Sequence, residues 1–223
     1  FVSLEIRFRG GTSMDDNKTR GAVSFMTAML EEGAGELDAQ AFSKARDSIA
    51  ASFDFDVSRD SLSVSARFLS DTREEAIQLL KQALTTPRFD QEAMERVRKQ
   101  IIAIIASNQK NQNKIAQSKL YELTFPDHIY SSSGLGSTDK ITLLNGNDLR
   151  QAHKVAITRD RISVSIVGDI SEIQAIEMLD ELLENLPNSS KLLPKRVRAN
   201  LNLGTVLVDY PSPQSVAFFT FEG

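Results

Sequence analysis

The first nine residues alternate: Val2, Leu4, Ile6 and Phe8 fall on one side, and Glu5, Arg7 and Arg9 on the other. A two-residue period is that of a strand with one buried face. It stops at Gly10-Gly11, and the next apolar residues, Ala22, Phe25, Met26, Met29 and Leu30, recur at helical spacing. The period then returns to two over Ala51–Val57 and Leu62–Leu69, joined by Ser58-Arg59-Asp60-Ser61, which suits a hairpin loop. Helical segments follow, then a strand at Arg161–Val167 closed by Gly168-Asp169, then a further helix. Strand, helices, hairpin, helices, strand, helix is not the regular alternation of a doubly wound fold. It predicts an α+β domain whose mixed, largely antiparallel sheet packs against helices in two layers.

Local signals set the expected boundaries. Thr19 is expected to cap the first helix, which runs to about Glu32 before Gly33 and Gly35. Asp38 is expected to cap the next, through about Ala50. Asp71-Thr72-Arg73-Glu74 has capping-box character for a helix to about Leu84. Asp90 is expected to cap a long helix with Met94, Val97, Ile101, Ile104 and Ile105 on one face. The polar run Asn108–Asn113 interrupts it before Ile115–Phe125 resumes. Asn147–Ala156 reads as a short helix, and Ser171 with Gln174 as a capping box for a helix through Leu186. Pro187–Asn202 reads as a linker, with strands at Val206–Val208 and Val216–Phe221 on its far side. Because Phe1 already lies in a strand, the chain is expected to begin inside a longer gene product.

Several function classes drop out on composition. The chain has no cysteine, so disulfides, thiolate metal sites and a Cys nucleophile are excluded. A net charge of −4 over 223 residues argues against a nucleic-acid partner. No apolar run approaches the ~18 residues of a transmembrane helix. The two histidines, His128 and His153, lie far apart, His128 in a loop and His153 on a helix surface. Glu31, Glu32, Glu36 and Asp38 read as a solvated helix end, because no Gly-centred calcium loop surrounds them. Gly134-Leu135-Gly136-Ser137 is too short for a phosphate loop, and Lys195-Arg196-Val197-Arg198 reads as linker solvation.

The segment Gly21-Ala22-Val23-Ser24-Phe25-Met26-Thr27-Ala28-Met29-Leu30 resembles the zinc-binding helix of the insulinase and mitochondrial-processing-peptidase family, an inverted H-x-x-E-H motif. Five stretches resemble the same family in the same order. These are Arg7–Ser13, Thr19-Arg20-Gly21-Ala22 leading into that helix, Thr86-Pro87-Arg88-Phe89-Asp90 with Met94–Arg98, Phe125–Tyr130 with Gly134–Ile141, and Ile162–Ile170. The resemblance spans about Leu4 to Ile170. It implies a metallopeptidase-like domain over 1–186, a linker over 187–203, and the first strands of a second homologous domain over 204–223.

The resemblance also marks what is absent. Ser24, Thr27 and Ala28 stand where the family has His, Glu and His, and about Ile104 stands where it has a third, carboxylate ligand. An open zinc site needs three such ligands and a base to activate water, and all four positions are replaced. An Ile pointing into the former site suggests a pocket packed shut. The implied function is a non-catalytic subunit that binds an extended peptide and assembles as a heterodimer with a homologous zinc-bearing peptidase subunit. This chain is then inactive alone, with no cofactor of its own and zinc only in the partner. A purely structural subunit of a larger complex, without peptide turnover, is the alternative implied by the same family; an unrelated α+β binding domain is the third reading. Arg7, Arg9, Arg59 and Arg67 are the candidate peptide contacts, although ordinary surface charge explains them equally well. Family habit points to a bacterial periplasm or another soluble compartment.

Overall fold

The computed structural model describes residues 1–189, 191–202 and 204–221. In chain order the elements are β1 (Val2–Arg9), α1 (Ala22–Ala28), β2 (Gly33–Ala34), β3 (Leu37–Asp38), α2 (Ala39–Ser48), β4 (Ser52–Val57) and β5 (Ser61–Phe68). There follow α3 (Arg73–Thr85), α4 (Gln91–Asn108), α5 (Gln112–Thr124), α6 (Thr138–Leu143), α7 (Gly146–Ala156), β6 (Ile162–Gly168) and α8 (Glu172–Leu183). The main sheet has the order β4-β5-β1-β6, and every pairing in it is antiparallel.

Register explains how the sheet makes a core. Leu4 lies opposite Ala66 and Ile166, and Ile6 opposite Val64 on one side and on the other Val164. Each row therefore presents apolar side chains to one face, where the helices cover Val2, Leu4, Ile6, Phe8, Leu62, Val64 and Phe68. The other face carries Ser3, Glu5, Arg7 and Arg9 of β1, Ser63, Ser65 and Arg67 of β5, and Ser163 and Ser165 of β6. From α1 the core receives Val23, Phe25 and Met26, with none of their surface exposed, and it takes in Phe42 and Leu80 just as completely.

Several boundaries move for identifiable reasons. Helix α1 is only Ala22–Ala28; it starts after Gly21, not at Thr19, and its last turn stops short of Glu32. Asp38 does cap α2, accepting from the Ala41 amide at 2.8 Å. Asp90 does not cap α4, because its carboxylate accepts from Arg88 Nε at 2.7 Å instead. The capping box expected at Asp71–Glu74 is also not formed: α3 begins at Arg73 with Thr72 at its N-cap position and no side-chain cap bond, and the Thr72 hydroxyl donates to the Ile49 carbonyl at 3.1 Å. The box expected at Ser171/Gln174 is present, and a further one, at Asn145/Asp148, starts α7. Asn111 caps α5 through the Asn113 and Lys114 amides, so the polar run is a true break between α4 and α5.

The strands expected at Val206–Val208 and Val216–Phe221 are not found. Described residues in 204–221 form no sheet pairing, and Leu207 and Phe219 are exposed. An alternating sequence becomes a strand only beside a neighbour that satisfies its amides and covers its apolar face, and these described residues have no such neighbour. Among the described residues no helix is long and apolar enough to cross a membrane.

Candidate functional site

The loop from Gly10 to Arg20 places the helix that carries the degenerate positions. Gly10, Thr12 and Ser13 donate backbone hydrogen bonds to Asp60, Ser58 and Arg59 carbonyls of the β4–β5 hairpin loop, at 2.7–2.9 Å. Gly21 sits at φ 103°, a left-handed conformation, where a Cβ would lie 2.7 Å from the Leu135 carbonyl oxygen. Only glycine relieves both constraints. Beyond it, the two carboxylate oxygens of Asp15 accept from the Gly21 and Val23 amides, both at 2.9 Å. A carboxylate at this end satisfies free amides and complements the helix dipole.

Arg20 is the other half of this anchor. Its guanidinium donates to Asp15 at 3.2 Å, to the Thr12 carbonyl, to the Ser132 carbonyl and hydroxyl at 3.0 Å, and to the Ile129 carbonyl at 3.3 Å. The Asp15 and Arg20 side chains are 0% and 2% exposed. Burial pushes the Asp15 carboxyl above its usual range, against the pull of the Gly21 and Val23 amides and of Arg20, and burial draws Arg20 down against Asp15. One ion pair thus joins the start of α1 to a loop more than a hundred residues away. The sequence reading missed this pair; its only local trace is an acid and a base in a turn-rich stretch ahead of a glycine.

The residues that the resemblance aligns with the family's metal ligands offer no metal chemistry. Ser24 is buried, and its hydroxyl donates to the Gly134 carbonyl at 2.8 Å. Thr27 is buried, and its hydroxyl donates back to the Val23 carbonyl at 2.8 Å within the helix. Ala28 is exposed and has no donor atom. Neutral hydroxyls already bonded to carbonyls supply neither an imidazole ligand nor a base. Among the described residues no group of three His, Asp or Glu side chains could hold a metal ion. The residues present do not fit zinc.

Ile104 corrects one expectation. It is 48% exposed, so it does not plug a closed pocket. The buried seam of α4 runs instead through Met94, Val97, Arg98, Ile101 and Ile105, at helical spacing, with Ile104 turned off it. Arg98 in that seam donates to the Ile141 and Leu144 carbonyls at the end of α6 and lies 5.2 Å from the Phe25 ring centroid. It therefore ties α4 to both α6 and α1.

The four candidate arginines divide. Arg7, Arg9 and Arg67 are exposed on the outer sheet face, with Arg67 over the Phe1 ring at 4.7 Å. Arg59 lies apart in the hairpin loop, stacked 3.7 Å over Tyr121 of α5. Beside it Tyr130 donates to Asp60, and burial with that bond pushes its hydroxyl up to about 12. Glu31 and Glu32 pair with Arg46 and Arg96, which leaves no acidic cage.

His128 shapes its loop as expected, its Nδ1 accepting from the Tyr130 amide at 3.3 Å. His153 is not a free surface histidine. Its Nε2 lies 2.8 Å from the Leu84 carbonyl, to which it donates as the neutral ring, and Phe89 packs against it edge-on. Burial lowers its pKa from 6.5, against the Leu84 bond. The unfolded chain then takes up a proton in a range where the folded chain does not. Stability from this residue is complete above pH 6.5 and lost as pH falls toward the lower folded value. Melting temperature measured from pH 7.5 down to 5.5 is expected to fall more steeply for the native chain than for His153→Gln.

Comparison with known proteins agrees with the fold and with the family resemblance. The family model described as "Insulinase (Peptidase family M16)" matches residues 1–137, and "Peptidase M16 inactive domain" matches 144–223. The chain is 28% identical over 184 residues to the Helicobacter pylori "Non-peptidase homolog YmxG", covering 82% of this chain and 43% of that protein. It is 21% identical to the Saccharomyces cerevisiae mitochondrial-processing peptidase subunit beta, over 82% of this chain and 40% of that subunit. In structure it is similar to a peptidase M16 inactive domain from Pseudomonas fluorescens, with TM-score 0.82 and 24% identity over 88% of this chain and 48% of the other. Pitrilysin superposes at TM-score 0.74 with 15% identity, over 88% of this chain and 22% of its own. The chain thus spans about two-fifths of the length of the curated relatives it matches. On the family model covering most of its length, the chain belongs to the insulinase family, peptidase family M16.

Proposed function

We propose that this chain is a non-catalytic M16 protein that binds an extended peptide and works beside a homologous, zinc-bearing subunit. The observation that carries the reading is a retained helix with an emptied site: α1 is anchored by Asp15 and Arg20, while Ser24 and Thr27 turn their hydroxyls onto carbonyls. Similarity to a non-peptidase homologue and to a processing-peptidase subunit supports it.

Peptide binding in this reading uses backbone groups. β4 is an edge strand of the sheet and packs beside α1, so its outer edge offers free amides and carbonyls next to the degenerate helix. An extended segment added there gains main-chain hydrogen bonds without a metal. Arg67, opposite Ser52 of β4 on the outer sheet face, is the candidate for a charge contact at that edge; Arg7 and Arg9 lie on β1, two strands away, and Arg59 is already stacked on Tyr121. The division into a domain over 1–186, a linker over 187–203 and a second unit from 204 belongs to the same reading, as does zinc carried only by the partner.

The test is direct. Metal analysis of the purified chain is expected to find no stoichiometric zinc, and peptide cleavage to require an M16 partner with an intact H-x-x-E-H helix. Stoichiometric zinc in the isolated chain would sink the reading. An unchanged partner activity on adding this chain would leave the purely structural role.

A further inference from the structure

The segment after α8 is fastened at both ends and bare in the middle. On the near side, the Arg159 amide donates to the Pro187 carbonyl at 2.8 Å, and the Ser189 amide to Asp160 at 2.8 Å. Arg161 donates to the Lys191 carbonyl, while Lys191 Nζ reaches the Met14 carbonyl and Asp16, both at 2.7 Å. Leu193 packs on the core. On the far side, the Asn200 amide donates to the Thr124 carbonyl at 2.8 Å and the Tyr210 hydroxyl to the Lys110 carbonyl at 2.7 Å. Between these anchors, residues 195–199 are exposed and without regular structure, and no hydrogen bond is made by residues 194–199 among the described residues. That bare stretch holds Lys195, Arg196 and Arg198.

We propose that Pro194–Ala199 is a proteolytic modification site for endoproteases that cleave after Lys or Arg. A protease reads its substrate as an extended strand, which requires several consecutive residues free of backbone bonds. The chain has 26 Lys and Arg residues, and most lie in helices or strands that must open before cleavage. The chief rival is Lys110, in the α4–α5 break. There Gln109, Lys110 and Asn111 all donate backbone bonds back into α4, at 3.0–3.2 Å, so the chain is wound rather than extended. Lys191, Arg159 and Arg161 are held by the near-side anchor. Cleavage adds water across the Arg196–Val197 or Arg198–Ala199 amide, leaving a carboxylate on the arginine and an ammonium on the next residue.

Limited trypsin digestion of the full chain, read by mass spectrometry over time, tests this. The first cuts are expected after Lys195, Arg196 or Arg198, giving a core that keeps the near-side anchor. A chain carrying Lys195→Gln, Arg196→Gln and Arg198→Gln, all exposed, should melt like the native chain. It should lose its intact band on the order of tenfold more slowly, since cleavage elsewhere waits for local opening. A first cut after Lys110 or within any helix or strand overturns the proposal, and so does a triple variant cut at the native rate. The trimmed core is expected to melt with the intact chain; a core that unfolds on cleavage would show the segment to be part of the folded unit, and would overturn it too.

Discussion

Arg20→Ala is expected to be among the most destabilising single substitutions in this chain, costing about 3–5 kcal/mol of unfolding free energy. The loss is not that of a salt bridge alone. Removing the guanidinium leaves Asp15 as an uncompensated buried charge and the Thr12, Ser132 and Ile129 carbonyls without their donor. Chemical denaturation by urea is the measurement, with Arg20→Met to separate stem packing from charge. Pairing Arg20→Met with Asp15→Asn should recover part of the loss, because the isolated charge then disappears. Arg20→Ala within 1 kcal/mol of native, on the scale of ordinary exposed pairs, would mean that the hub contributes no more than surface charge.

Phe25→Ala is the second, expected to cost about 3–5 kcal/mol. Phe25 is 0% exposed at the centre of α1 and touches Arg98, whose guanidinium closes the end of α6. Truncation leaves a cavity that α1, only seven residues long and held at its start by Asp15, has little freedom to collapse into. Phe25→Leu, which keeps most of the volume, should cost below about 1.5 kcal/mol. Equal losses for Ala and Leu in the same denaturation series would point to the ring's contact with Arg98 rather than to cavity volume.

The two predictions concern the same place, and both depend on contacts that sequence periodicity does not show. β1 and the hairpin were legible because alternation needs only neighbours two apart. Helices α2 and α8 were legible because Asp38 and Ser171 cap within three residues, whereas the Asn145 cap of α7 was not read from the sequence. Of the caps that failed, Asp90 turns its carboxylate to Arg88, and the Asp71–Glu74 box is out of register because α3 begins at Arg73. α1 was read too long for a related reason. Its apolar spacing continues to Leu30, but Met29 and Leu30 are buried in a turn rather than in helix, since burial asks only that a side chain point inward. Ile104 was placed on the buried face by counting; a helix of 3.6 residues per turn carried Ile101 and Ile105 there and left Ile104 outside.

At the site, identity and geometry separated cleanly. That Ser24, Thr27 and Ala28 carry no imidazole or carboxylate is a property of residue type, and residue type needs no coordinates. So is the α+β order of elements, because binary patterning and turn residues act over short range. What those residues do instead is tertiary. Ser24 bonds to Gly134 and Arg20 to Ser132, across more than a hundred positions of chain, and such partners are chosen by which loops the packed core brings together. Val206–Val208 and Val216–Phe221 alternate in the same way but have no sheet pairing among the described residues. Alternation specifies a strand's faces, whereas a strand exists only where another backbone lies alongside to complete its hydrogen bonds.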